Sequence, residues 1–392
     1  MITVEEAQAR ALALATRPPE AEDVPLIAAA GRTLLAPART TRAQPPFASA
    51  AMDGYAVRDA EVAIGARFTI VGESAAGHRW DGTLSPGQAV RIFTGAPVPE
   101  GADHVVIQED TARDGDVITL QPNLGQGPNI RPAGADFPAD FTLNAPRVLT
   151  PSDLALLAAM NVPQVTVAKR PRVMLLATGD ELVMPGQVPG ADQIIASNIF
   201  ALKAMVDAAG GEGVILPIAP DDRAALHAAM AAMAQADVAV TIGGASVGDY
   251  DLVGQVGEEL GLERAFYKIS MRPGKPLIAG SFAGGTPYLG LPGNPVSAIV
   301  TGHLFLVPLV RRLLGQSSVM PIEVPATLAA DTGPTGPRTH YMRAHLANGV
   351  VTPFPRQDSS LLSVLTEANC LLVRPLGDGP RQAGETVRVL PL

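Results

Sequence analysis

Val173-Met174-Leu175-Leu176-Ala177 runs straight into Thr178-Gly179-Asp180-Glu181, and this junction decides the fold. Five apolar residues in succession leave no polar face, so the run reads as a strand covered on both sides. Such strands belong to a parallel sheet sandwiched by helices. The alternation continues downstream. Residues 196–209 are expected to be helical and to stop at Gly210-Gly211, with a strand at 214–218. An Ala/Met helix at 222–235, strands at 238–242 and 288–291, and a helix at 296–314 follow. In open sheets of this kind ligands bind beyond the carboxyl ends of the strands. The unusual residues fall there, at 178–181, 243–251 and 292–297.

Working outward, the texture changes on both sides. Thr3 and Glu6 form a capping-box signal for a helix reaching about residue 15. Thr150 and Pro151 form a second start signal, as N-cap and first helical residue. Between them lie short β-branched runs at 67–71, 105–108 and 117–120, with Asp114-Gly115 as a hairpin turn. After Gly315 the chain is again β-like, at 319–324, 341–346, 371–373 and 386–390. The expected division is a helical linker region (1–44 with 141–170), a β-rich insertion (45–140), an α/β domain (171–316) and a C-terminal β domain (317–392).

Composition narrows the function classes. A chain of 392 residues predicts about two to four domains. With 47% hydrophobic and 17% charged residues, global disorder is excluded. Aromatics at 4% give no stacking platform for single strands, and a net charge of −9 makes a poor nucleic-acid binder. An anionic ligand then requires a local cluster of Lys and Arg. The single cysteine, Cys370, excludes an intrachain disulfide and a thiolate zinc site. Glu5 and Glu6 near the start argue against a secretory signal. The apolar run at 298–310, broken by Gly302, His303 and Pro308, falls short of the ~20 residues that span a bilayer. The expectation is a cytoplasmic protein with no membrane and no nucleic-acid partner. No HExxH, GxSxG, Walker A or GxGxxG pattern is present.

Four segments remain as carriers of chemistry. Gly243 and Gly244, with the hydroxyl of Ser246, suit the close approach of an oxyanion; alone, they also read as an ordinary glycine-rich connection. Asp180-Glu181 and Asp249/Asp251 set carboxylates at the sheet edge. As a set they suit Mg²⁺, while Asp180 by itself reads as a helix cap. Residues 268–276, with Arg272 and Lys275 fixed by Pro273 and Pro276, are the densest basic turn and suit a phosphate or another oxyanion. In Pro292-Gly293-Asn294-Pro295, Asn294 fits an N-cap and Pro295 the first helical position, and the helix start also suits an anion or a pterin edge.

These segments, together with Ala51-Met52-Asp53-Gly54-Tyr55-Ala56 and Phe93-Thr94-Gly95-Ala96-Pro97, occur in one order. In that order the whole chain resembles the MoeA-type molybdopterin molybdenumtransferase family, which includes the gephyrin E domain. The resemblance implies an α/β multidomain fold: a MogA-like mixed sheet with helices on both faces, a β-rich insertion, a helical linker region and a C-terminal β domain, as a homodimer. It implies insertion of molybdate into adenylylated molybdopterin, with Mg²⁺ and release of AMP. Asp53 and Thr94 would face the cleft across the dimer. Glu181 and Asp251 match acidic positions tied to metal and catalysis; Asp221 matches another, with Asp222 beside it as an alternative. Ser246, Arg272, Lys275 and Pro276 match the oxyanion and pterin-phosphate side, and Lys268 a further basic position. Arg343 and Ser359 or Ser360 resemble residues of the molybdate site. Arg272 departs from the lysine common in the family, exchanging a point charge for a planar fork. A separate MogA-type adenylylating protein would supply the substrate, and molybdenum-enzyme maturation proteins would receive the product. The rival readings are a non-catalytic scaffold and an enzyme that only borrows the MogA-like domain.

Overall fold

The computed structural model describes residues 1–244 and 252–392. Strand Arg172–Ala177 lies inside a six-stranded sheet. In spatial order the strands are Glu212–Ile215, Arg172–Ala177, Val238–Ile242, Pro287–Leu291, Ile278–Ser281 and Glu263–Tyr267. The first four run parallel; Ile278–Ser281 runs against them, and the edge strand Glu263–Tyr267 is antiparallel to that one. Leu175, Leu176, Val240 and Leu289 have no exposed surface, as runs apolar on both faces require. These last two strands escaped sequence reading. Gly280 interrupts one, while Glu263 and Arg264 sit on the sheet edge, where a bulge between Arg264 and Phe266 breaks the alternation.

Helices Asn198–Ala208, Arg223–Met233 and Leu252–Glu259 pack on this sheet. Asp222 is the N-cap of the second, its Oδ1 accepting from Ala225 N at 2.8 Å. The last apolar run is helical over Pro295–Thr301 and Val307–Leu313, joined by a π-helical turn at Gly302–Leu306. A Cβ on Gly302 would lie 2.7 Å from Leu202 Cδ2, so glycine is what lets this helical run approach helix Asn198–Ala208. By length and composition alone, Pro295–Leu313 could cross a membrane, but 72% of its apolar window is buried in this core.

The flanking parts contain more strand than the sequence suggested. Ala21–Pro25 pairs with Gln164–Ala168, and Thr33–Leu34 and Arg147–Val148 complete a four-stranded sheet. Thr150 does cap helix Pro151–Ala159, with both bonds of the capping box formed through Asp153. Helix Val4–Ala13 packs elsewhere: Val4, Ala7 and Ala11 enter the core of the α/β body. Its Thr3 Oγ1 accepts from Glu6 N at 3.2 Å, while the Glu6 carboxylate pairs forward with Arg10. The insertion folds as a six-stranded sheet, and the Asp114-Gly115 turn joins Thr111–Asp114 to Val117–Leu120.

At the C-terminus, strands Thr339–Ala347, Val350–Pro353, Val324–Leu328, Thr386–Pro391 and Cys370–Arg374 pair in sequence, and the last pairs back with the first. This closes a barrel, which removes free edges. Arg374, 1% exposed, ties the barrel to its 375–381 loop. Its Nε donates to Asp378 Oδ2 at 2.5 Å, and its other nitrogens donate to Thr332 Oγ1 and Gly379 O. Bonding to Arg381 and Arg374 holds the Asp378 carboxyl below the usual carboxylate range. Asp378→Ala would strand a buried guanidinium and is expected to cost about 3–5 kcal/mol in urea denaturation. The Asp378 contribution is complete above its ordinary value near ~4 and fades as pH falls through the lower folded value. Unfolding midpoints of wild type and variant should therefore converge on acidification.

Candidate active site

Beyond the carboxyl ends of the parallel strands lies a cleft of about 860 Å³. The turn after Arg172–Ala177 supplies one wall. Gly179 adopts φ +140°, and a Cβ there would sit 2.2 Å from Glu181 Oε2. Glycine at this position is what allows the exposed Glu181 carboxylate to fold over its own turn. Asp180 Oδ1 accepts from Asp221 N at 3.0 Å, which fastens a second acidic turn beside the first. Glu181 and Asp221 both line the cleft. Asp222 does not; its carboxylate is committed to the helix cap.

Gly243 and Gly244 follow strand Val238–Ile242 with φ +96° and +64°, conformations open to glycine. They form the floor, while Ser246 and Asp251 lie outside the described residues. Lys268 and Lys275 bring positive charge to the same cleft, and Pro276 lines it beside them. Lys268 has φ +66°, uncommon for a side-chain-bearing residue, and its Nζ lies 4.8 Å from the centroid of the Tyr267 ring.

Pro292, Asn294 and Pro295 line the opposite side. Pro295 opens helix Pro295–Thr301, with Asn294 at the cap position. The Asn294 side chain makes no cap bond there; Nδ2 donates instead to Ser359 Oγ at 3.1 Å, and Val296 N donates to Ser359 O at 3.0 Å. These bonds tie the C-terminal barrel to the α/β body and bring Ser360 into the cleft lining. Ser360 N and Oγ both donate to Asp358 Oδ1, which holds that carboxyl below its ordinary value.

Arg343 and Arg272 stand at this seam, outside the cleft lining itself. Arg343 is 1% exposed. Two of its nitrogens donate to Asp358 O at 2.8 Å and Arg356 O at 3.1 Å, so it shapes the loop that carries Ser359 and Ser360. Its Nε is buried without a partner. Burial, with Arg272, Arg343, Arg374 and Arg338 nearby, pushes the His340 imidazole down to about 4, so it is neutral near pH 7 and the arginines set the local charge.

Asp53 and Thr94 form a separate unit in the insertion sheet. Thr94 N and Oγ1 each donate to Asp53 Oδ1 at 2.7 Å, holding that carboxyl below its ordinary range. Beside them Arg91 lies between the rings of Tyr55 and Phe93. Neither Asp53 nor Thr94 lines the cleft of this chain. Thr178, read in the sequence only as part of the 178–181 turn, does, and so do two residues that sequence reading passed over, Ser197 and Asn198, whose Nδ2 donates to Gly293 O at 2.7 Å. Ser197-Asn198 at a helix start was the available signal. Among the described residues, no group of three or more His, Cys, Asp and Glu is gathered to hold a metal.

Residues 2–161 match the MoeA N-terminal region (domain I and II), residues 174–312 the probable molybdopterin binding domain, and residues 325–392 the MoeA C-terminal region (domain IV). A molybdopterin molybdenumtransferase from Nostoc sp. is 38% identical, covering 95% of this chain and 89% of that protein. One from Haemophilus influenzae is 34% identical, covering 100% of this chain and 98% of its own. A solved molybdopterin biosynthesis MoeA protein from Pyrococcus horikosii aligns with a TM-score of 0.85 at 30% identity, over 100% of this chain and 99% of that one. Motif order and full-length likeness agree: the chain belongs to the MoeA-type molybdopterin molybdenumtransferase family.

Proposed function

We propose that this chain inserts molybdate into adenylylated molybdopterin and releases AMP, as a Mg²⁺-dependent cytoplasmic homodimer. The observation that carries the reading is the pairing of opposite charges in one cleft: Glu181 and Asp221 share it with Lys268 and Lys275. A phosphate-bearing substrate needs cations for its oxygens and carboxylates for any metal that accompanies it. Two carboxylates fit Mg²⁺, which keeps several waters and binds through one or two carboxylates plus substrate phosphates. When bound there, it would offset phosphate charge.

The chain's own groups divide the remaining work. Lys268 and Lys275 bind the phosphates, and Gly243 and Gly244 let the ligand approach the backbone. Arg272 and the unpartnered Nε of Arg343 receive the molybdate dianion at the seam with the barrel, where the Ser360 hydroxyl would turn from Asp358 to donate to it, with Pro276 fixing the basic loop. Asn294 and Ser359 hold that seam closed, and Pro292 and Pro295 shape the wall. Ser246 and Asp251 keep the oxyanion and acidic roles that the resemblance implies. Asp53 and Thr94, bonded to each other away from this chain's cleft, complete the cleft of a second copy. A separate MogA-type protein supplies the adenylylated substrate, and maturation proteins receive the product.

Purified protein given adenylylated molybdopterin, molybdate and Mg²⁺ is expected to release AMP only when all three are present. Glu181→Gln and Asp221→Asn should each lower that rate on the order of 100-fold and raise the Mg²⁺ required. Wild-type turnover in both would contradict the assignment. Mixing Asp53→Asn with Glu181→Gln subunits tests the shared cleft. Each heterodimer would then hold one intact site, so random exchange should restore roughly a quarter of wild-type activity. No restoration after verified exchange would place Asp53 on its own chain's cleft.

A further inference from the structure

Thr178 is the first residue past strand Arg172–Ala177, and its backbone is fixed from both sides. Its N–H donates to Ile242 O at 3.2 Å, and it forms a parallel bridge with Ala219. The residue is 3% exposed, and its hydroxyl oxygen is buried without a hydrogen-bond partner. It nevertheless lines the cleft. Glycines surround the hydroxyl: a Cβ on either Gly243 or Gly244 would lie 3.3 Å from Thr178 Oγ1. Gly293 faces Gly243 from the next turn, where a Cβ would lie 3.6 Å from the Gly243 Cα.

An unpaired buried hydroxyl destabilises the free protein, and valine would fill the same space without that penalty. We propose that Thr178 is a substrate-binding residue whose Oγ1–H donates to a phosphate oxygen when the cleft is filled. This rests on the functional reading above. Phosphate is the fitting acceptor because Lys268 and Lys275 line the same cleft. The glycines leave the space that lets an acceptor reach a hydroxyl at this depth.

The test is Thr178→Val, which keeps the side-chain shape and removes the donor, with Thr178→Ser as the variant that restores it. In the absence of ligand, Thr178→Val is expected to melt at or above the wild-type temperature. Its retention of adenylylated molybdopterin on ultrafiltration should weaken about tenfold, the size of one charge-assisted hydrogen bond, and Thr178→Ser should recover it. Wild-type affinity in Thr178→Val would overturn the inference while leaving the functional reading intact. A clear drop in its melting temperature would also overturn it, by showing that the hydroxyl already serves the free fold. A wild-type protein that retains no adenylylated molybdopterin would overturn the functional reading and the substrate role of Thr178 together.

Discussion

The arrangement depends on a short parallel pairing between two parts of the chain. Met271 and Arg272 leave the α/β body and pair with Thr339 and His340 on a barrel strand. Thr339 N donates to Ser270 O at 2.9 Å, extending the stitch by one bond. Backbone pairing is specific in register, so it fixes where Arg272 meets Arg343 across the seam. The bonds from Asn294 and Val296 to Ser359 close the same seam from the other side. A cleft that opens on the sheet edge of one domain thereby acquires a wall from another. Interdomain placement of this kind is common for small-molecule sites.

That constraint also organises charge. The chain is acidic overall at −9, yet the seam concentrates Arg272, Arg338, Arg343 and Arg374 around a neutral His340. A local positive field in an acidic molecule attracts a small dianion without attracting polyanions in general. Arg343 contributes in two ways. It spends two nitrogens on the carbonyls of Arg356 and Asp358, shaping the serine-bearing loop, and leaves its Nε–H unspent. The cost of that unsatisfied group, like that of Thr178 Oγ1, is the kind that binding sites carry and ligands relieve.

Local chemistry was the part legible in the sequence. The Thr150 cap, the Asp114-Gly115 turn and the fully apolar strands each declare themselves within a few residues, and the structure forms all three. The acidic and basic turns at strand ends were likewise visible, because an α/β sheet dictates where ligands gather. Long-range pairing was not legible. Ala21 pairs with Ala168, and Thr33–Leu34 is too short to show any alternation, so a four-stranded sheet stood where helices and linker were expected. That Asp221 lines the cleft while Asp222 caps a helix was not legible either, since either aspartate suits a cap by sequence alone. The commitment of Arg343 to backbone carbonyls was equally hidden, because it depends on a loop that begins 13 residues later.

The central claim is that molybdate enters at the seam between the basic loop and the barrel. Anomalous scattering at the molybdenum edge, from crystals of the full chain equilibrated with molybdate, addresses it directly. The account expects a peak within bonding distance of Arg343 Nε, Arg272 and Ser360, lost in crystals of Arg272→Ala grown the same way. A molybdenum peak located only away from this seam, or one unchanged by Arg272→Ala, would contradict it.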